Sequence, residues 1–317
     1  MEWLLCGIGL VILLGAGDCL VKGAVNLSLR IGVPALIVSL TIVAFGTSAP
    51  ELLIAINSTL SGSSGIAIGN VVGSNTANVL MVLGIPALLK SLDTANCDTQ
   101  PTYYYMVVAS IVFIALAFTG GFGIWQGAIL LLMLAVFLLK NLKDANAHRN
   151  GDAEPCVPKR LDLGAVDASI PGWRIALFLI LGLVGLPLGA DILVDSASII
   201  ARSFAISEAV IGLTLIAIGT SLPELSTAIV SVFRNQADVA LGNVIGSNIF
   251  NLLGIIGVTA MIDYVAVDPS FLKFDLWVML AASTFLAPFV LLGWRITRIW
   301  GFALTTGYLI YVYFVLV

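Results

Sequence analysis

The sequence predicts an all-α polytopic membrane protein, with ten transmembrane helices built as two inverted five-helix repeats. Three observations lead there. Of the 317 residues, 60% are hydrophobic and only 10% are charged, and the mean hydropathy is +1.09. A soluble domain carries about 25% charged residues; 14 basic and 18 acidic side chains cannot cover a globule of this size. Apolar stretches recur at the length of a spanning helix, about 20 residues. Two motifs in the first half of the chain return in the second half in fixed register.

The apolar segments run Trp3–Leu29, Pro34–Leu60, Ile66–Leu89, Tyr103–Phe118 and Phe122–Leu142, then Trp173–Ala201, Ser207–Phe233, Val239–Ile262, Phe271–Leu292 and Arg295–Leu316. They are long and continuous, which excludes a β-barrel built of alternating strands of about ten residues. The one long polar stretch, 143–172, carries mixed charge with Pro155, Pro158 and Pro171 and reads as a linker too short for a regulatory domain. The chain therefore divides into a first repeat at 1–142, the linker at 143–172 and a second repeat at 173–317. The net charge of −4 and the lack of a basic stripe exclude nucleic acid as a main partner. Cys6, Cys19, Cys97 and Cys156 form no Cys-x-x-Cys pair and read as packing residues or incidental thiols. His148 is the sole histidine, so no multi-histidine zinc site is expected. No basic segment precedes the apolar run at Trp3, and no cleaved leader is expected.

The repeat is explicit in the residues. Gly46-Thr47-Ser48-Ala49-Pro50-Glu51 returns as Gly219-Thr220-Ser221-Leu222-Pro223-Glu224. Gly69-Asn70-Val71-Val72-Gly73-Ser74-Asn75 returns as Gly242-Asn243-Val244-Ile245-Gly246-Ser247-Asn248. Both pairs keep an offset of 173 residues without a gap, and so do Asp18 and Asp191. The motif regions are 41–80 and 214–253. Five is odd, so two five-span halves in one membrane take opposite orientations, as in many secondary transporters. With the N-terminus outside, the inner side collects Lys22, Arg30, Lys90, Lys140, Lys143, Arg149, Lys159, Arg160, Arg174, Arg234, Arg295 and Arg298, leaving Arg202 and Lys273 outside. The positive-inside rule then places both termini outside a cell (inner or plasma) membrane and the linker in the cytoplasm.

Glu51 and Glu224 lie within apolar segments, where a charge costs at least about 2.5 kcal/mol and should face a cavity. No Lys or Arg lies at comparable depth to neutralise them. Pro50 and Pro223 lack an N–H, which frees the carbonyl four residues back and breaks each helix beside its glutamate. Thr47 shares a helix face with Glu51, and Ser48 adds a hydroxyl; Thr220 and Ser221 do the same beside Glu224. In the second motif Ser74 shares a face with Asn78, and Ser247 with Asn251, and the inverted two-fold is expected to bring all four to the glutamates as ion ligands near the midplane. Gly69/Gly73 and Gly242/Gly246 have the spacing that lets helix backbones approach closely. Every group offered is a hard oxygen, which suits calcium and, by the same logic, sodium. The charge of the two glutamates is balanced by one calcium or by two sodium ions, and that competition is a physical basis for exchange at one shared site.

These paired motifs resemble the two α-repeats of the sodium/calcium exchangers, within the cation/calcium exchanger superfamily. The likeness covers all the apolar segments and is greatest for the short prokaryotic calcium/sodium antiporters. The resemblance implies ion ligands at Glu51, Glu224, Asn78, Thr47, Ser48, Thr220, Ser221, Ser74 and Ser247. It implies that the carbonyls of Ala44 and Ala217 line the ion path, and that the first and sixth helices slide across the core. Some relatives, including potassium-dependent ones, carry Asp where this chain has Asn251; the missing charge argues against potassium co-transport.

The remaining polar features have plainer readings. Gly15-Ala16-Gly17-Asp18 matches an intramembrane aspartyl protease pattern, but the repeat mate Leu188-Gly189-Ala190-Asp191 does not; Asp18 reads as a helix-surface partner of Lys22, with gating of the cytoplasmic passage as the alternative. Asn26-Leu27-Ser28 and Asn57-Ser58-Thr59 match glycosylation patterns but fall in or beside spans. Tyr103-Tyr104-Tyr105 reads as an interfacial belt. The expected function is antiport of sodium and calcium by a non-enzyme without cofactor, for which a monomer in the lipid bilayer suffices. A calcium/proton antiporter using the same glutamates is the alternative, and an ion channel is a third possibility that the inverted repeat disfavours.

Overall fold

The computed structural model describes residues 1–94, 99–150, 170–204 and 217–316. The chain opens with α1 (Glu2–Ile31), which ends where Gly32 turns to φ 71° and the Val33 N–H reaches back to Ser28 O at 3.0 Å. Next come α2 (Ala35–Thr47) and α3 (Ala49–Leu60), one apolar run bent by 42°. Then follow α4 (Ser64–Leu89), α5 (Gln100–Ala117) and α6 (Ile124–Asn150). The second half holds α7 (Gly172–Ser203), the short α8 (Ala217–Gly219), α9 (Leu222–Phe233) and α10 (Ala237–Ile262). It closes with the short α11 (Pro269–Lys273), α12 (Asp275–Leu291) and α13 (Arg298–Leu316).

Among the described residues, six helices are long and apolar enough to cross a membrane, and the α2–α3 pair makes a seventh. Helices α9 and α12 are apolar but shorter. The expected segment Ser207–Phe233 is described only from residue 217, and Cys97, Cys156, Pro155 and Pro158 lie outside the described residues. Helix α6 does not stop at Leu142: it continues through 143–150, so the first part of the polar stretch extends the helix. The His148 side chain is outside the described residues.

The 173-residue offset extends from motif to helix boundary. Helices α3 and α9 begin and end at corresponding residues, as do α4 and α10. Gly62 caps α3 at φ 75°, and Asn235, its counterpart after α9, stands at φ 56°. Only glycine, and less readily asparagine, enters that left-handed region at low cost.

Helices α4 and α10 form the centre. Their apolar windows are 83% and 78% buried, against 33% for α1 and 22% for α7. Val72 and Val82 of α4 and Val244 and Leu252 of α10 lie in one apolar cluster with Met106 and Phe113 of α5, Leu130 of α6, Phe289 of α12 and Leu304 of α13. Helices α1 and α7 pack along each other in a separate cluster, through Leu13, Ala16, Leu20, Leu186 and Ala190, and meet Val38 and Val43 of α2. Their outer faces expose Trp3, Val11 and Val184, which apolar surroundings would solvate.

The loops group into two ends. At one, Gly121–Phe122 (β1) pairs antiparallel with Val265–Ala266 (β2). At the other, Leu92 and Ile296 exchange backbone hydrogen bonds at 3.0 Å, and the Lys90 ammonium donates to Asn235 Oδ1 at 2.7 Å. Asp18 binds Lys22 at 2.8 Å, as expected, and is also paired with Arg234 beyond α9. The tyrosine run is not simply an interfacial belt: Tyr103 is buried with its hydroxyl on Thr284 O at 3.2 Å, Tyr105 donates to Met133 O, and Tyr104 alone is exposed. Both ring positions brace neighbouring helices because a buried phenol needs an acceptor.

The α1–α7 contact depends on small residues. A Cβ at Gly189 would lie 2.8 Å from Leu13 N and 3.1 Å from Gly9 O, backbone atoms that cannot rotate aside. Gly189→Leu is expected to force the helices apart and destabilise the protein by about 1–3 kcal/mol. A thermal melt of the purified protein in detergent checks this, and an unchanged melting temperature would refute the close packing.

Candidate functional site

The site begins at the two helix breaks. Ser48 (φ −86°, ψ 5°) leaves helical geometry between α2 and α3, and Ser221 (φ −90°, ψ 1°) does so before α9. Pro50 and Pro223 fall in the first turns of α3 and α9, where a missing N–H costs nothing. Proline here starts a new helix rather than kinking an old one. Glu51 and Glu224 consequently sit in N-terminal turns, whose dipole favours a carboxylate.

Both glutamates are 1% exposed, and among the described residues neither is paired with Lys or Arg. They lie within electrostatic reach of each other. The two halves cross at this point. Ser48 Oγ donates to Glu224 Oε1 at 3.4 Å, and the Thr47 hydroxyl also lies against Glu224. Thr47 Oγ1 is 3.3 Å from Ala44 O and 3.4 Å from Asn243 Oδ1. The Ala44 carbonyl accepts the Ser48 N–H as well, at 3.1 Å. The exchange is not symmetric, for Ser221 Oγ has no partner.

Helices α4 and α10 supply the amides. Asn78 opens a π-helical turn at Asn78–Val82, and Asn251 lies in another at Phe250–Ile255. Such turns carry an extra residue, re-aim side chains and are frequent at functional sites. Asn78 Nδ2 donates to Asn248 Oδ1 at 3.1 Å, and Asn251 Nδ2 donates to Asn75 Oδ1 at 3.0 Å. Asn75 and Asn248 donate to each other's backbone carbonyls at 3.2 and 3.3 Å. Close helix contact makes room for this: a Cβ on Gly246 would lie 2.7 Å from Leu40 O, so α10 presses directly on α2. For Gly69 and Gly73 the corresponding partner residues, 209–216, fall outside the described residues.

Six buried oxygens on the expected ligands have no hydrogen-bond partner: Glu51 Oε2, Glu224 Oε2, Asn78 Oδ1, Asn251 Oδ1, Ser221 Oγ and Ser247 Oγ. They make up half of all such orphaned side-chain atoms among the described residues. Each would cost about 1–3 kcal/mol if nothing met it, and they are concentrated on the two repeated motifs. Ser74 is buried, Thr220 is half-buried with a polar interaction of its own, and the Ala217 side chain lies outside the described residues. Among the described residues no group of three or more His, Cys, Asp or Glu side chains could hold a metal. A cavity of about 570 Å³ opens beside Gly46 and Ala49, but its walls are Leu40, Phe45, Leu134, Leu183 and Phe250. It is apolar and is not the ion site.

Asn75, Asn248 and Asn243 were not among the expected ligands. Their signal was present, since each asparagine of the second motif recurs at the repeat offset. Asp191 and Asp195 are exposed on α7 and, among the described residues, form no ion pair. Asp18 is not among these ligands; its ion pairs run to Lys22 and Arg234.

The family model described as sodium/calcium exchanger protein matches residues 1–143 and 174–317. The inner membrane protein YrbG of Escherichia coli K12 is 34% identical over 308 residues, 96% of this chain and 93% of that protein. The sodium/calcium exchanger MaX1 of Methanosarcina acetivorans is 31% identical over 337 residues, 97% of this chain and 96% of that protein. Among solved structures, the sodium-calcium exchanger NCX_Mj soaked with zero Na+ and Ca2+ superposes with TM-score 0.80 at 29% identity, covering 98% of each chain.

Two like charges buried without a counter-cation repel each other and are poorly solvated. In cation-free buffer Glu51→Gln is expected to melt several degrees higher than the parent protein and to lose the stabilisation that divalent cations confer on the parent. Differential scanning fluorimetry in detergent reads both effects. A lower melting temperature with cation stabilisation intact would contradict the site.

Proposed function

From the premise that the chain belongs to the sodium/calcium exchanger protein family, we propose that it is a secondary antiporter that exchanges sodium for calcium at one shared site. The observation that carries this reading is the set of buried, unpartnered oxygens on the two repeated motifs that hold Glu51 and Glu224. The ligands would be Glu51, Glu224, Asn78, Asn251, Thr47, Ser48, Thr220, Ser221, Ser74 and Ser247, with the Ala44 and Ala217 carbonyls on the ion path. Two carboxylates and otherwise neutral oxygens suit one calcium, which takes 6–8 oxygens, or two sodium ions in its place. Each ion neutralises the site only after the other has left, and this makes the fluxes obligatorily coupled.

Ten spans in two inverted five-helix repeats agree with the equal offset of α3/α9 and α4/α10. The same arrangement puts β1 and β2 outside and the Leu92–Ile296 pair inside, so both loop pairings join segments assigned to one side. Lys22, Lys90, Arg234, Arg295 and Arg298 then gather on the cytoplasmic side. Both termini are outside in this reading, and the linker is cytoplasmic. Alternating access follows if α1 and α7, which have an apolar cluster of their own, shift against the core held by α4 and α10. No cofactor and no enzymatic step are needed, and a monomer suffices.

The test is radiocalcium uptake into sodium-loaded proteoliposomes diluted into sodium-free buffer, beside a pH gradient without sodium. Uptake is expected to require the sodium gradient and to fall to background in Glu51→Gln and Glu224→Gln, with both variants monodisperse. Uptake driven by the pH gradient alone would move the protein to calcium/proton antiport at the same carboxylates, and normal transport by both variants would reject the ligand set. Asn251→Asp adds a third carboxylate and is expected to change the monovalent-ion dependence of calcium flux. Comparing flux in sodium, potassium and lithium gradients checks it, and an unchanged profile would remove the significance given to the missing charge.

A further inference from the structure

We propose that Asn75 and Asn248 are positioning residues, each holding the ligand asparagine of the opposite half so that its carbonyl oxygen faces the ion; this rests on the calcium-binding reading of the site. An asparagine side chain has two nearly isosteric ends, and only one can meet a cation. An amide turned the wrong way presents an NH2 group and repels the ion. Something must therefore choose the end, and it must do so inside the protein, where Asn78 and Asn251 are 1% and 0% exposed.

The choice is made in two steps. The Asn75 Nδ2 group donates to the Asn248 backbone carbonyl at 3.2 Å, and the Asn248 Nδ2 group donates to the Asn75 backbone carbonyl at 3.3 Å. A backbone carbonyl only accepts, so flipping either amide would set two acceptors against each other. These two side chains are thereby locked with Oδ1 pointing away from the exchanged pair. Each Oδ1 then accepts from a ligand: Asn75 from Asn251 at 3.0 Å, and Asn248 from Asn78 at 3.1 Å. With its Nδ2 engaged, each ligand has its own Oδ1 left free, and these are the orphaned oxygens Asn78 Oδ1 and Asn251 Oδ1. Four buried amides thus form one closed set, and its orientation is fixed by main-chain carbonyls, which cannot flip.

The connections cross between the halves. Asn75 and Asn78 are neighbours on α4, yet Asn75 governs Asn251 on α10, and Asn248 governs Asn78. A residue that merely supported its own helix would act on its own neighbour. The crossed pattern is therefore a signature that local packing cannot produce.

The experiment is a pair of double-mutant cycles on the full-length protein in detergent. It reads the calcium concentration for half-maximal thermal stabilisation, separately from the cation-free melting temperature. Asn75→Ala is expected to raise the half-saturating calcium about fivefold to tenfold in the parent and less than about twofold in Asn251→Ala. On Asn78→Ala its effect should multiply in full. Asn248→Ala should show the converse, silent on Asn78→Ala and additive on Asn251→Ala. Equal effects on both backgrounds, or unchanged half-saturation, would overturn the proposal. If Asn75→Ala does not fold, the Asn248 cycle decides; failure of both to fold assigns the ring to folding and also overturns it. A parent protein that calcium does not stabilise at all would instead reject the site reading, whatever the variants do.

Discussion

The architecture depends on two carboxylates placed where charge is expensive and, among the described residues, left without a fixed counter-ion. A lysine beside Glu51 and Glu224 would satisfy them permanently, and the site would then hold nothing that could leave. Neutral oxygens solve a different problem: they solvate a cation without competing with it. In the proposed reading, that requirement accounts for the serine, threonine and asparagine of the two repeated motifs, which are largely buried. It also accounts for the helix breaks, because first-turn positions in α3 and α9 favour a carboxylate without adding a competing cation. The tight α2–α10 contact at Gly246 brings the oxygens of one half against the carboxylate of the other.

Much of this was legible from residues alone, because the repeat operates at the level of motif. A shared offset of 173 residues locates both breaks, and the boundaries of α3, α4, α9 and α10 follow it to the residue. Hydropathy located the outer helices but misjudged the end of α6, since residues 143–150 are polar and still helical. A helix projecting beyond the apolar layer loses its hydrophobic signal without losing its hydrogen bonds. The amide ring was not legible. Spacing shows which side chains share a face of one helix, whereas the ring joins residues on two helices, and its direction depends on which end of each amide meets a carbonyl. The same limit hid Arg234: Lys22, one turn from Asp18, is a local inference, but the partner from α9 is a tertiary fact.

The repeat is imperfect, and the imperfections are mechanical. Asp18 and Asp191 correspond, but the residue corresponding to Arg234 is Ser61, and among the described residues Asp191 forms no ion pair. Helix α1 is therefore tied to the core beside Arg234 by an ion pair whose counterpart at α7 is missing. A second tie, Ser226 Oγ to Leu13 O at 2.7 Å, also joins α1 to α9. Helices α1 and α7 meet each other mainly through apolar and small residues, with Arg30 of α1 beside Gly172 at the start of α7.

That distribution bears on how a site of this kind can open. Apolar contacts are non-directional, so if α1 and α7 shift together against the core, keeping their close fit to each other, the apolar contacts exchanged cost less than polar ones. Polar ties are directional and must break. The Asp18–Lys22–Arg234 cluster is 22–31% exposed at its side chains, and partly solvated pairs are worth about 1 kcal/mol or less. A tie of that size biases the resting position of α1 without locking it. The amide ring lies in the buried centre, where breaking it would leave four amides unsatisfied. In the proposed reading, weak ties at α1 and α7 and strong ones in the core are what a carrier needs if its ligands must keep their geometry while access to them changes.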